Sequence, residues 1–404
     1  MKILHTADWH IGKKLHKHEL SEDFELFIAW LCDFIEKEAV DVLLISGDVF
    51  DLANPSSEAR KQYYRALMRL RKLDCKLVIT GGNHDSPSML DAPQEILREL
   101  EMHVIGGLPE NMEELLIPIK NKKEETELVI AALPYLRDAD LRSAADGQTY
   151  EDRLEAIRAG IQQCFENAAD LCRKNYPGIP TIAMGHLFAA GAETSESERE
   201  IQIGNLAAFN ANQFGDYFNY IALGHIHKPQ KLNSSIPTYY SGSPLPLSFS
   251  ERKDNKRVLL LNTENGWEPE NIPVPAFRSL LKISGSLEDL ELKLRDPGDR
   301  KNLESLIEVE LTEENYDAAK ILQLDTIVSN FELEGFRIVK HRVNFRNRIA
   351  GASEIYQEQK LEDLKPREVF LELISRQEYD DKTKEEILSA FEELLGETYQ
   401  NENL

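Results

Sequence analysis

Thiols are scarce in this chain: four cysteines among 404 residues, at positions 32, 75, 164 and 172, with no Cys-x-x-Cys pair. That spacing excludes a disulfide framework and a thiolate metal site, and the four read as reduced, buried, small apolar side chains. Long apolar runs are missing too. None approaches a membrane span, and the start, Met1-Lys2-Ile3-Leu4-His5, does not have the form of a signal peptide. A cytoplasmic protein without a membrane partner is therefore expected. Repeats and low-complexity tracts are also absent. Positive charge is short, with 47 Lys and Arg against 71 Asp and Glu, net −24, which weighs against a nucleic-acid partner at first sight. The imbalance is uneven. Residues 1–275 carry 29 basic and 42 acidic side chains, residues 276–348 carry 12 and 14, and residues 349–404 carry 6 and 15. Binding depends on the local field, so the acidic total weakens a DNA partner without excluding one.

What is present is an ordinary globular composition, 42% hydrophobic and 29% charged, in a chain long enough for two or three domains. The informative stretch is Val42-Leu43-Leu44-Ile45-Ser46-Gly47-Asp48. A short apolar run closed by Gly reads as a buried strand, and α/β sheets hold ligands outside the carboxyl ends of their strands. Asp48 at such an end would be costly unless something positive meets it. The pattern recurs. Lys2–Thr6 runs into Asp8-Trp9-His10, Cys75–Thr80 into Gly82-Asn83-His84-Asp85, Thr181–Met184 into Gly185-His186, and Phe218–Leu223 into Gly224-His225-Ile226-His227. Helices are expected from a Ser21 cap through Ile35, and at 56–73, 88–100 and 150–174.

Gathered at one sheet edge, Asp8, His10, Asp48, Asn83, His84, His186, His225 and His227 form an N/O donor set suited to Mn, Fe or Zn. There are enough donors for two ions, with the central Asp48 as the bridge. Two ions flanking a phosphate serve phosphate-ester hydrolysis. A lone histidine is usually structural, and His5, His16, His18 and His103 are read that way.

Pro273 and Pro275 mark a linker. Beyond it, residues 276–348 read as a small α+β domain ending in a basic strand whose alternation puts Lys340, Arg342 and Arg346 on one face. That face suits DNA-backbone contact. Residues 349–404 hold two short amphipathic helices, one starting at Pro366 and one capped by Thr383. Neither can bury its stripe alone, so they read as a docking module. The polar stretch 191–200 reads as a loop, a lid or binding loop.

The motif series Asp8-x-His10, Gly47-Asp48, Gly82-Asn83-His84-Asp85, Gly185-His186 and Gly224-His225-x-His227 resembles that of calcineurin-like metallophosphoesterases. Ser46–Asp51 with Pro55-Ser56, Gly185-His186-Leu187-Phe188, Ser195–Arg199 and Tyr240–Pro244 are similar to the SbcD family of bacterial nuclease subunits. The resemblance implies a β-sandwich flanked by helices over 1–275, a capping domain over 276–348 and an SbcC-binding segment over 349–404. It implies two Mn²⁺ (or Mg²⁺ or another divalent ion), one held by Asp8, His10, Asp48 and His227, the other by Asp48, Asn83, His186 and His225. His84 would face the scissile phosphate, with Asp85 orienting it. Also implied are 3′–5′ exonuclease action on duplex ends, endonuclease action on single strands and hairpins, a heterotetramer with the SbcC ATPase, and a homodimer through helices 56–73 and 88–100. Some repair relatives have His where this chain has Asp51, which leaves the role of that position open. Phosphoprotein phosphatases of the superfamily follow Gly-Asp with a phosphate-gripping Arg. Asp51-Leu52-Ala53-Asn54 offers none.

Overall fold

A computed structural model describes residues 1–141, 150–193, 209–314 and 317–345, with helical positions at 387–388 and 390–391. The strands are β1 (Lys2–Thr6), β2 (Lys14–Leu15), β3 (His18–Glu19), β4 (Val42–Ser46), β5 (Lys76–Thr80), β6 (Met102–Ile105), β7 (Leu116–Lys120), β8 (Thr126–Ala132), β9 (Thr181–His186), β10 (Tyr220–Gly224), β11 (Gln230–Lys231), β12 (Thr238–Tyr240), β13 (Arg257–Asn262), β14 (Glu270–Pro273), β15 (Leu280–Gly285), β16 (Ser305–Glu313) and β17 (Phe336–Phe345). The longer helices are α1 (Ser21–Glu38), α2 (Ser57–Leu70), α3 (Pro87–Asp91), α4 (Gln94–Glu99), α5 (Tyr150–Asn175), α6 (Leu287–Arg295) and α7 (Ala318–Ser329).

Two six-stranded mixed sheets carry the fold, in the orders β14-β13-β1-β4-β5-β6 and β11-β12-β10-β9-β8-β7. Their inner strands run parallel, β1 with β4, β4 with β5, β8 with β9 and β9 with β10. These strands are apolar on both faces, and alternation divides β1, β4 and β5 between two cores. Ile3, Val42, Leu44 and Val78 pack against Ile130, Ile182 and Ile221 of the second sheet. Leu4, Leu43, Ile45 and Ile79 pack on the other side with Phe27 and Leu31 of α1 and Leu67 of α2. The β-sandwich with flanking helices is thus present, and every expected strand end opens at the carboxyl edge of one of the two sheets.

The helix expected at 88–100 is two short ones. Pro93, which cannot donate a backbone hydrogen bond, stands between α3 and α4, and the Asp91 carboxylate turns away to the Gly106 N–H at 2.6 Å. The strands β15, β16 and β17 form a separate three-stranded sheet in that order. The chain divides into two compact units. One comprises 1–283, 292–309 and 330–341, the other the described residues of 284–291, 310–329 and 342–404. The boundary expected at 276 therefore falls inside the first unit. Phe277 packs in the helix-side core, and the buried Arg278 grips Asp23 of α1 with Nε and Nη2 at 2.8–3.0 Å. The expected tail helices, apart from positions 387–388 and 390–391, the stretch 194–208 and Arg346 lie outside the described residues.

Candidate metal centre

Five strands end around one point. Asp8 and His10 follow β1, Asp48 follows β4, Asn83 and His84 follow β5, His186 closes β9, and His225 and His227 follow β10. The loops after β1 and β4 zip together, with Asp8 N–H donating to Gly47 O, His10 N–H to Asp48 O and Ile11 N–H to Val49 O at 2.9–3.1 Å. The backbone is strained where the donors sit: φ is 53° at Asp8, 44° at His10, 48° at Asp48 and 100° at His225. Residues with side chains rarely occupy that region, at a cost of order 1–3 kcal/mol each, and such costs concentrate at functional sites. The glycines before the donors are needed for close approach. A Cβ on Gly47 would lie 2.1 Å from His186 Nδ1, and one on Gly224 1.7 Å from Ser46 O.

Each aspartate spends one oxygen on backbone and presents the other. Asp8 Oδ1 accepts from His225 N–H at 2.8 Å, while Oδ2 is buried with no hydrogen-bond partner. Asp48 Oδ1 accepts from His84 N–H at 2.9 Å, while Oδ2 lies 3.5 Å from His10 Nε2 and 3.3 Å from His186 Nε2. His227 Nε2 lies 3.2 Å from His10 Nε2. Asn83 Oδ1 stands 3.0 Å from His186 Nε2 and 2.9 Å from His225 Nδ1, and His225 Nε2 is buried without a hydrogen-bond partner. Three groups have donor atoms within 4.8 Å of one another: Asp8, His10 and His227; Asp48, His186 and His225; and His10, Asp48 and His84.

Burial and neighbouring charge shift these groups in opposite directions. Burial pushes Asp8 up to about 7, and pushes His10 down to about 4 and His225 down to about 3. Burial alone would raise Asp48, but the facing His186, His10 and His84 rings hold it well below the usual carboxylate range. Burial alone would lower His186, but Asp48 and Asp8 hold it up to about 9. Crowding so many polar atoms out of water, with Asp8 Oδ2 and His225 Nε2 unpaired, is unfavourable for the protein alone and is relieved by cations. The N/O donor chemistry fits hard to borderline divalent ions.

His84 is only half-buried, unlike the aspartates and the other four histidines, and its Nδ1 meets the Asp51 carbonyl at 2.8 Å. The expectation that Asp85 orients His84 needs correction. The buried Asp85 carboxylate accepts three backbone N–H groups, Gly82 at 2.8 Å, Phe50 at 2.9 Å and Val49 at 3.0 Å, and so ties the β4 and β5 loops together. Its own carbonyl accepts from Arg137 Nη2 at 3.2 Å. Sequence reasoning also missed the supports behind the donors. Asp51 Oδ1 stands 3.2 Å from His10 Nδ1 and 3.0 Å from Lys13 Nζ. Glu251 Oε1 stands 3.4 Å from His227 Nδ1, with Glu251 Oε2 2.7 Å from the buried Lys256 Nζ. The only hint was placement, Asp51 three residues after Asp48 and Glu251 at the end of the Pro/Ser-rich stretch.

The basic strand is largely answered by its neighbour. On β17, Lys340 pairs with Glu308 at 3.4 Å and Arg342 with Glu310 at 3.2 Å, both acids on β16.

The two facing mixed sheets are the fold of a calcineurin-like phosphoesterase, and residues 1–229 match that family's model. Residues 276–378 match a second model, described as the type 5 capsule protein repressor C-terminal domain. Relatives named as the D subunit of nuclease SbcCD include one from Escherichia coli (strain K12), 30% identical over 400 residues and covering 97% of each chain. One from Rhodobacter capsulatus is 38% identical over 294 residues, covering 70% of this chain and 71% of the relative. One from Bacillus subtilis (strain 168) is 33% identical over 273 residues, covering 66% and 68%. The chain belongs to the family of D subunits of the SbcCD nuclease.

Proposed function

We propose that this chain is the divalent-metal nuclease subunit of an SbcCD complex, cutting DNA phosphodiester bonds from duplex ends (3′–5′) and within single strands and hairpins. The observation that carries the reading is Asp48 Oδ2, set between His10 Nε2 and His186 Nε2 with the unpaired Asp8 Oδ2 and His225 Nε2 buried in the same centre. Asp8, His10, Asp48 and His227 would hold one ion, and Asp48, Asn83, His186 and His225 the other, Mn²⁺ in preference to Mg²⁺. When bound, such ions act as Lewis acids on a phosphoryl oxygen and lower the pKa of water.

The protein's own part lies with His84. Its Nδ1–H donates to the Asp51 carbonyl, which leaves Nε2 as the atom that would give a proton to the leaving oxygen from the imidazolium form and return to the neutral ring. Asp85 keeps the two loops in register beneath it. Of the basic strand, Arg346 would contact the DNA backbone, since Lys340 and Arg342 are answered by Glu308 and Glu310. Residues 349–404 would bind the SbcC ATPase in a heterotetramer with two copies of each chain. The homodimer would form through α2 to α4, where Tyr64, Met68 and Ile96 are exposed. Cleavage of duplex, hairpin and single-stranded DNA, with and without Mn²⁺, tests the reading. Mn²⁺-dependent cutting is expected, and none on any of the three substrates would overturn it.

A further inference from the structure

Behind the donors, the two halves of the centre are built unequally. His10 and His227 each turn Nε2 inward and Nδ1 to a carboxylate, Asp51 at 3.2 Å and Glu251 at 3.4 Å. Each carboxylate is held in turn by a lysine, Lys13 at 3.0 Å and Lys256 at 2.7 Å. Lys256 is buried and also donates to Ser243 Oγ at 2.8 Å and to the His227 carbonyl at 3.1 Å, so Glu251 is fixed from several sides. Among the described residues, no such carboxylate stands behind the other pair. His186 Nδ1 meets the Ser46 carbonyl at 3.0 Å, and His225 directs Nδ1 to Asn83 and leaves Nε2 without a hydrogen bond.

A carboxylate behind an imidazole fixes its tautomer and orientation and makes the inward nitrogen a better donor. A second difference points the same way and is independent of the first. Asp8 belongs to the first half alone and Asp48 to both, whereas the second half adds only the neutral amide of Asn83.

We infer that the centre loads divalent cations unequally: the half built from Asp8, His10 and His227 is the tight, resident site, and the half built from Asn83, His186 and His225 is the exchangeable one. Asp51 and Glu251 are the positioning residues that set the difference. The inference rests on the two-ion reading above. Activity is then governed by the supply of metal to the exchangeable half, with the resident ion retained when free metal is low.

The test titrates the metal-free, full-length chain with Mn²⁺ and follows free Mn²⁺ by electron paramagnetic resonance. Two classes of ion separated by at least about tenfold are expected, with His227→Ala removing the tighter class and His225→Ala the weaker. Asp51→Asn is expected to weaken the tighter class by about 10–100-fold and leave the weaker one in place. The double variant Glu251→Gln/Lys256→Met, which leaves no buried lysine unpaired, should do the same. A merely structural role would weaken both classes together. Equal affinities in the wild type, or loss falling on the weaker class or on both alike, would overturn the inference. Wild-type protein that takes up no Mn²⁺ would overturn the metal-centre reading itself, a separate failure.

Discussion

Asp8 and Asp48 show how a single side chain can be both scaffold and ligand. In each, one oxygen anchors the backbone of a neighbouring loop and the other is presented inward, so loss of either carboxylate releases a loop as well as a donor. His84 differs because it is half-buried and its ring is anchored by the Asp51 carbonyl, although it also lies within reach of the His10 and Asp48 donor atoms. His84→Ala is expected to cut DNA cleavage by about 10²–10⁴-fold, the usual worth of a positioned acid, while Mn²⁺ uptake stays at the wild-type level. Parallel loss of metal in equilibrium dialysis would instead make His84 a ligand. Metal uptake should also depend on pH, with a definite sign. His186 keeps its proton up to about 9 and Asp8 up to about 7, and both protons must leave before these atoms can bind an ion. Apparent Mn²⁺ affinity should therefore fall as pH drops from about 8 to about 6, with proton release measurable by calorimetry in buffers of different ionisation enthalpy. An affinity flat across that range would contradict the assignment. At this scale the donors were legible because each follows an apolar strand closed by a tight turn, a local signal. Asp51, Glu251 and Lys256 were not, because what makes them important is burial beside a histidine distant in sequence.

At the level of elements, the strands were legible and the links between them less so. Strands β1, β4, β5, β9 and β10 announce themselves by apolar runs needed on both faces. Pro273 to Pro275 read as a linker, yet three residues on the buried Arg278 makes a bidentate pair with Asp23 of α1 and donates to Glu304 O at 2.5 Å. Asp23→Ala should destabilise the chain by about 3–5 kcal/mol, since it leaves a guanidinium buried and unpaired. The double variant Asp23→Leu/Arg278→Met should recover most of that in thermal unfolding. If the single variant melts with the wild type, the pair is not holding the segment. The basic strand β17 is the converse case. Its sequence showed an acid-free run, but pairing with Glu308 and Glu310 of β16 depends on sheet register, which no local pattern reveals. Two free phosphate contacts would contribute about 1.8 to the slope of binding against salt concentration. With both cations already answered, Lys340→Ala/Arg342→Ala is expected to change that slope by less than about one unit. A full loss would mean that DNA displaces the two glutamates.

Across the whole molecule, the question is how a chain of net −24 handles a polyanion. Net negative charge is smallest over residues 276–348, with 12 basic and 14 acidic side chains, whereas residues 353–404 carry 6 basic and 15 acidic side chains. Cations in the centre add positive charge at the point where a phosphate must sit. The acidic end is separable on this view, because none of the donors or their supports comes from beyond Lys256. Deleting 353–404 is therefore expected to preserve Mn²⁺-dependent nuclease activity and to tighten duplex binding at low salt, by removing nine net negative charges whose repulsion is screened within about 10 Å at 0.1 M salt. The same deletion should abolish co-purification with the SbcC ATPase, since residues 349–404 are the segment proposed to bind it. Retained co-purification would move the docking surface to the balanced domain before residue 349. Lost nuclease activity would mean that the tail supports the catalytic sheets after all.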